Sequence, residues 1–146
     1  MRSDDGIITR GLLIDGQEVE AADGGTLTVI NPADGQAIAQ VAAAGIADVD
    51  AAVTVARETF QVGTWSEMPI WERARELHRL ADAIEDRIED LVRLETFNNG
   101  RPITETRAQV SRLPGWYRYN ASLLLADRGH VIPMPGPYHT YTSRFP

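Results

Sequence analysis

Alternating apolar and polar positions, interrupted by turn-forming residues, predict two β-hairpins early in the chain. The first pairs Leu12–Ile14 with Gln17–Glu20 across Asp15-Gly16, a dipeptide whose residues both accept the positive φ angles of a tight turn. The second pairs Thr26–Ile30 with Ala37–Val41 across five residues rich in turn formers. Two hairpins leave exposed strand edges, so we expect a partner or a helix to cover them.

Helical spacing of the apolar residues begins near Asp48. Val49, Val53 and Phe60 are placed on one face of a first helix. A second, longer helix is predicted to begin near Pro69, because proline suits the first turn of a helix. It is expected to continue to the glycine at position 100, which can close a helix in the left-handed conformation. Its apolar stripe consists of Leu77, Leu80, Ala81, Ile84, Ile88, Leu91 and Val92.

A third helix is predicted from Pro102 toward Ala126, with a kink or break at Pro114-Gly115, because an internal proline removes a backbone donor. A proline-rich linker follows, and His139–Arg144 then has the composition of a strand. This strand has no partner downstream in the chain, so its edge is expected to be unpaired. The pattern as a whole predicts an α+β fold with three helices. The expected divisions are residues 1–10 (flexible), 11–44 (β-hairpins), 45–128 (helical) and 129–146 (linker and strand).

The composition is typical of one soluble globular domain, with 146 residues, 43% hydrophobic and 24% charged. The net charge of −7 and the lack of an arginine cluster argue against nucleic-acid binding, which needs a basic face. The longest apolar runs are far too short for a membrane span. Acidic residues stand near the N-terminus where a signal peptide would need an apolar core, so we expect a cytoplasmic protein.

The sequence offers no residues for a catalytic or cofactor-binding site of its own. It contains no cysteine, which excludes thiol nucleophiles and thiolate metal sites. It contains no lysine and no Gly-x-Gly-x-x-Gly segment, so the common phosphate-binding loops are absent. The three histidines are scattered, without ligand spacing. The aromatic residues Trp116, Tyr117 and Tyr119 fit either a packed interface or a ligand-facing role.

Several short motifs occur in an order that resembles the N-terminal part of the aldehyde dehydrogenases. Each motif alone is weak, but several in the same order are specific. The resemblance extends from about Leu12 to Pro146. The matching segments are Leu13–Gln17, Ile30–Ile38, Asp48–Val53, Glu72–Leu77, Glu95–Pro102, Arg118–Ala121 and Tyr141–Pro146.

This resemblance implies the N-terminal piece of an enzyme that oxidises aldehydes to carboxylic acids with NAD(P)⁺. In that family the dinucleotide-binding core, the general-base glutamate and the catalytic cysteine lie further along the chain. We therefore expect this chain alone to bind no cofactor and to be inactive, with an aldehyde as substrate only in a complete enzyme. The alternative is a non-catalytic interaction module that pairs with a full-length homologue.

The resemblance also assigns roles to a few positions. Gln109, Leu113 and Trp116 match a helix that borders the family's substrate tunnel. Ile30 and Asn98 match positions that help to hold a structural monovalent cation in some members, although asparagine lacks the charge of the usual aspartate. The final strand resembles part of the family's oligomerisation sheet, which implies self-association or pairing with a homologous subunit.

Overall fold

The computed structural model describes residues 7–126 and 128–143. The described part contains both helices and short sheets, so the predicted α+β class is confirmed. The elements in chain order are β1 (Ile8–Arg10), β2 (Leu12–Ile14), β3 (Gln17–Val19), β4 (Thr26–Ile30), β5 (Ala37–Ala42), α1 (Ile46–Val62), α2 (Ile70–Glu85), α3 (Ile88–Asn99), α4 (Ile103–Val110), α5 (Leu113–Ala126), β6 (Val131–Ile132) and β7 (Thr140–Tyr141).

Both predicted N-terminal hairpins are present. Strands β2 and β3 pair antiparallel with Leu12 opposite Val19. Asp15 and Gly16 lie between them with φ angles of 53° and 71°, which is the backbone that a two-residue hairpin turn requires. Strands β4 and β5 also pair antiparallel, with a register shift next to Ile30. Local turn chemistry was sufficient to predict both pairings.

Strand β1 corrects the expectation that residues 1–10 are flexible as a whole. Residues 8–10 pair parallel with β5, Ile8 opposite Ala39, and complete a three-stranded sheet in the order β1-β5-β4. Three residues are too few to show an alternating pattern. Their partner also lies about thirty positions away, so no local signal marks the pairing.

Helix α1 begins with a long-range polar contact made by Asp48, which is only 7% exposed. Its carboxylate accepts hydrogen bonds from the backbone N–H groups of Gly45 at 2.9 Å and Ala22 at 3.0 Å. The first bond caps the helix, and the second ties it to the segment after β3. The helix ends at Gly63 in the left-handed conformation.

The apolar face predicted for α1 does not pack into the core of the described residues. Val49, Val53 and Phe60, here called the α1 face, are 51%, 61% and 58% exposed. The helical spacing was predicted correctly. Periodicity says which side of a helix is apolar and not what covers it.

The long second helix is in fact two helices. α2 ends at Glu85 and α3 begins at Ile88. Arg87 lies between them with φ −117° and ψ 13°, and its N–H bonds to the carbonyl of Ile84 at 3.0 Å. This tighter bond closes α2, and no proline or glycine marks the site.

The third predicted helix is also divided, so the described residues contain five helices instead of three. The break lies at Ser111 and Arg112, a few positions before the predicted one. Pro114 falls in the first turn of α5, where its missing N–H has no helical partner to lose. The proline therefore starts a helix instead of kinking one.

The core lies mainly between α2 and α5, the helices with the most extensive contact. Ala81 and Ala121 are completely buried there, and such small side chains let the two backbones approach closely. Val92 of α3 and Thr106 of α4 are also completely buried. In the part of the chain that the structure describes, no helix is both long and apolar enough to cross a membrane.

The C-terminal segment corrects the prediction of a linker followed by an unpaired strand. Val131–Ile132, within the predicted linker, forms β6 and pairs antiparallel with β7. His130 and Thr142 extend the pairing with two hydrogen bonds of 2.9 and 2.8 Å. Of the predicted strand His139–Arg144, the last residue lies outside the described residues.

Candidate functional site

A groove of about 420 Å³ runs between α3 on one side and α4 with the start of α5 on the other. Most of its lining is apolar, and its polar groups come from three side chains. Grooves of this size and character are typical of sites for small organic ligands. The lining residues are Leu91, Leu94, Glu95, Asn98, Gln109, Val110, Leu113 and Trp116.

The three residues assigned by resemblance to a tunnel wall, Gln109, Leu113 and Trp116, all line this groove. They come from α4 and the first turns of α5, so the break between these helices places them on one side. Trp116 is 59% exposed, and its indole presents a large apolar surface to the groove. The aromatic residue thus belongs to an open surface in this chain and not to the buried core.

The opposite wall, formed by α3, was not part of the sequence prediction. Leu91, Leu94, Glu95 and Asn98 follow the spacing i, i+3, i+4 and i+7, which places them on one helix face. That periodicity was readable in the sequence. Of these four residues only Leu91 belongs to the apolar stripe predicted for one continuous helix, and no local signal marks the boundary between α2 and α3.

Hydrogen bonds connect the polar side chains at one end of the groove. The Arg101 guanidinium donates to Oε1 of Gln109. Glu95 Oε1 accepts from Asn99 Nδ2 at 2.6 Å, and Asn99 Oδ1 accepts from the backbone N–H of Arg101 at 2.9 Å. The Asn99 side chain therefore connects the Glu95 carboxylate to the Arg101 backbone, and the Arg101 guanidinium bonds to the Gln109 amide.

Two groups of surface ion pairs join neighbouring helices: one joins α3 to α4 across the groove, and the other joins α5 to α2. Arg107 of α4 donates to both carboxylate oxygens of Glu89 on α3 at 3.0 and 2.9 Å. This contact lowers the pKa of Glu89 below its ordinary value, because the hydrogen-bonded guanidinium stabilises the charged carboxylate. Arg118 of α5 bonds to Asp82 and Glu85 of α2, which raises the pKa of Arg118.

Ile30 and Asn98, assigned by resemblance to a cation site, lie on neighbouring parts of the fold. Ile30 ends β4, and Asn98 lies in the last turn of α3. The turn after Ile30 approaches the end of α3, since a Cβ added at Gly100 would lie 2.7 Å from Pro32 Cγ. No described hydrogen bond joins the two residues. Within the described residues, no group of three or more His, Asp or Glu side chains is arranged to hold a metal ion.

The lining of this groove does not fit a nicotinamide dinucleotide. A pyrophosphate needs several convergent N–H donors or cationic side chains. The groove instead presents apolar side chains and the Glu95 carboxylate, which would repel phosphate. The guanidinium at its end is already bonded to Gln109. The groove suits an uncharged or apolar molecule better than a dinucleotide.

Comparisons with known proteins agree on one family. A family model described as the aldehyde dehydrogenase family matches residues 19–146. The mitochondrial aldehyde dehydrogenase family 2 member B4 of Arabidopsis thaliana is 37% identical over 136 residues, which are 92% of this chain and 25% of that protein. The NAD⁺ complex of aldehyde dehydrogenase from Bacillus cereus is similar with a TM-score of 0.82 and 36% identity, over 91% of this chain and 27% of that chain. The structure of PnpE with nicotinamide adenine dinucleotide gives a TM-score of 0.79 and 41% identity, over 90% and 27% of the two chains.

The chain spans only about a quarter of the length of the curated relatives that it matches. Its sheets, helices and groove therefore correspond to part of a larger fold in those proteins.

Proposed function

Because this chain belongs to the aldehyde dehydrogenase family, we propose that it forms the N-terminal part of an enzyme that oxidises aldehydes to carboxylic acids with NAD(P)⁺. The groove between α3 and α4–α5 is the observation that carries this proposal. It brings together Gln109, Leu113 and Trp116, the residues that the family resemblance assigns to a substrate passage. In the complete enzyme these side chains would line the route of the aldehyde.

This segment contributes by binding the aldehyde and by excluding water from it. Leu113 and Trp116 offer apolar surface to the carbon chain or ring of an aldehyde, which favours its transfer from water. Gln109, held by Arg101, keeps a polar group at one end of the groove. NAD(P)⁺, bound by other residues of a complete enzyme, supplies the hydride acceptor.

The 146-residue chain on its own is expected to be inactive. The family reaction needs a thiolate nucleophile, and this sequence contains no cysteine. The groove also lacks the donors that a dinucleotide needs.

We further propose that the complete enzyme is cytoplasmic and that the Ile30 carbonyl and the Asn98 side chain face a structural monovalent cation.

The second candidate function is a non-catalytic module that pairs with a full-length homologue. Two observations favour it: the exposed α1 face and the β6–β7 hairpin, whose two short strands have free outer edges in the described residues. Exposed apolar surface and strand edges both promote association between chains.

Two measurements test these proposals: turnover by the isolated chain, and complex formation with a full-length homologue. The purified chain is incubated with NAD⁺ or NADP⁺ and a panel of aliphatic and aromatic aldehydes, and formation of the reduced cofactor is followed. A mock purification from the same host controls for contaminating dehydrogenases. We expect no turnover above that control, and robust turnover would contradict the proposal. Sizing after mixing with a full-length homologue tests the second candidate, which requires a new mixed species.

A further inference from the structure

Helix α3 ends at Asn99 and is capped by Gly100, and both residues are exposed. Solvent can therefore reach the Asn99 side-chain amide. Glycine has no Cβ, so its backbone nitrogen can reach the side-chain carbonyl of a preceding asparagine with little steric hindrance. We propose that Asn99-Gly100 is a deamidation site that the last turn of α3 keeps closed. The proposal rests on the geometry of this turn and is independent of the enzymatic function proposed above.

The reaction requires only water as a co-reactant. The Gly100 nitrogen forms a bond to Asn99 Cγ, and the bond from Cγ to Nδ2 breaks. The departing nitrogen takes up the proton lost by the Gly100 amide and leaves as ammonia, which produces a cyclic succinimide. Water then opens either carbonyl of the ring and yields aspartate or isoaspartate, so the net change is replacement of an amide by an acid.

Two hydrogen bonds hold the reacting nitrogens away from this path. The Gly100 N–H, whose nitrogen is the nucleophile, donates to the Thr96 carbonyl at 2.9 Å. Asn99 Nδ2, the leaving group, donates to Glu95 Oε1 at 2.6 Å. Both bonds belong to the last turn of α3, and helical backbone angles keep the Gly100 nitrogen away from Asn99 Cγ. Attack therefore requires this turn to open.

A third hydrogen bond favours the reaction once the turn opens. Asn99 Oδ1 accepts from the Arg101 N–H at 2.9 Å. Negative charge develops on this oxygen when Cγ is attacked, and a backbone donor stabilises such charge. The site therefore combines an activated carbonyl with a restrained nucleophile, which makes opening of the turn the step that controls the rate.

Deamidation would prevent the turn from closing again in its original form. An acid at position 99 would lie four residues after Glu95, where like charges repel on a helix. It would also place negative charge at the C-terminal end of α3, which the helix dipole disfavours. Because Glu95 and Asn98 line the groove, the modification would alter the polar end of the groove.

The test compares deamidation rates in the folded and unfolded chain. The 146-residue chain is incubated at mildly alkaline pH, with and without urea, and position 99 is followed by peptide mapping with isoaspartate detection. Asn98, which precedes the bulkier Asn99, serves as the internal control. We expect rapid deamidation at Asn99 in urea, slow deamidation in the folded chain and little change at Asn98. Equal rates at Asn99 in both states would overturn the proposal.

Two variants of Glu95 test the restraint itself. Glu95→Ala removes the acceptor of the Asn99 amide, so the folded variant is expected to deamidate about two- to tenfold faster, the change in open population that one hydrogen bond produces. Glu95→Gln keeps an acceptor oxygen and should stay close to the wild-type rate. If both variants react more slowly than wild type, Glu95 promotes the reaction as a base and the proposal is wrong. Circular dichroism confirms folding, and the comparison with urea still decides if Glu95→Ala does not fold.

Discussion

Asp48 provides the sharpest test of how this fold is held together. Its buried carboxylate accepts the N–H of Gly45 at the start of α1 and the N–H of Ala22 from the segment after β3. Replacement by alanine leaves both donors without their acceptor and removes a favourable negative charge from the helix N-terminus. A single side chain thus stabilises both the helix and its attachment to the N-terminal sheets.

The size of the effect follows from these contacts. Each partly buried N–H that loses its acceptor costs about 1–2 kcal/mol, and the lost charge at the helix start adds about 0.5 kcal/mol. We therefore expect Asp48→Ala to lower the free energy of unfolding by about 2.5–4.5 kcal/mol. Asp48→Asn retains one carbonyl oxygen and should cost roughly half as much.

Urea denaturation followed by circular dichroism measures the change, provided that the urea dependence of stability is the same in each variant. Asp50→Ala is the matched control, because Asp50 is exposed on the same helix and no described hydrogen bond involves its carboxylate. The control is expected to change stability by less than about 0.5 kcal/mol. If the stability change caused by Asp48→Ala differs from that of the control by less than about 0.5 kcal/mol, the long-range contact of Asp48 does not stabilise the fold.

Three further predictions concern pH, backbone conformation and exposed surface. Arg107 lowers the pKa of Glu89 below its ordinary value of 4.5. The stability difference between wild type and Glu89→Gln should therefore be present above pH 4.5 and disappear as the pH falls through the lower pKa of the folded state. Urea titrations at several pH values measure this difference, and a difference that grows with acidity would contradict the prediction. Gly100→Ala should destabilise the folded chain by about 1–3 kcal/mol, because Gly100 has φ +73° and an added Cβ would meet Pro32. Gly115→Ala is the control: it lies in the open part of α5 and should be neutral or slightly stabilising. Equal effects of the two substitutions would contradict this explanation. The isolated chain should bind a hydrophobic dye and self-associate, because the α1 face is exposed. Glutamate substitutions on the α1 face should reduce dye binding and self-association without loss of helicity. A monomeric wild-type chain that binds no dye would refute this prediction.

Local chemistry in the sequence was sufficient wherever neighbouring residues decide the structure. Asp15-Gly16 specifies its hairpin because both positions must take positive φ angles. Gly100 ends α3 in the left-handed conformation for the same local reason. Such features depend on a few adjacent residues and are readable without knowledge of the rest of the fold.

Tertiary context decided the features that the sequence did not reveal. The break at Arg87 contains neither glycine nor proline, so nothing local distinguishes it from a continuous helix. Pairing of β1 with β5 joins distant residues and has no local pattern. Pro114 was recognised as a helix interruption, but its position in the first turn of α5 depends on where the preceding helix ends.

The three residues assigned by resemblance to a tunnel wall, Gln109, Leu113 and Trp116, line one side of the groove, and their role stays a prediction. The α3 side of the groove was not predicted, because the sequence does not show that these helices face each other across an open space. For the α1 face, the apolar spacing was readable in the sequence, whereas the exposure of each residue depends on what packs against α1. Ile30 and Asn98 were assigned by resemblance alone, and their role stays a prediction.

The central claim is that this chain is a competent N-terminal segment of an aldehyde dehydrogenase. A chimera tests it most directly. The chain replaces the corresponding residues of the Bacillus cereus enzyme, and aldehyde-dependent NADH formation is measured beside the parent enzyme rebuilt through the same junctions. The account predicts turnover by the folded chimera. A soluble, folded chimera that forms no NADH while the rebuilt parent remains active would contradict it.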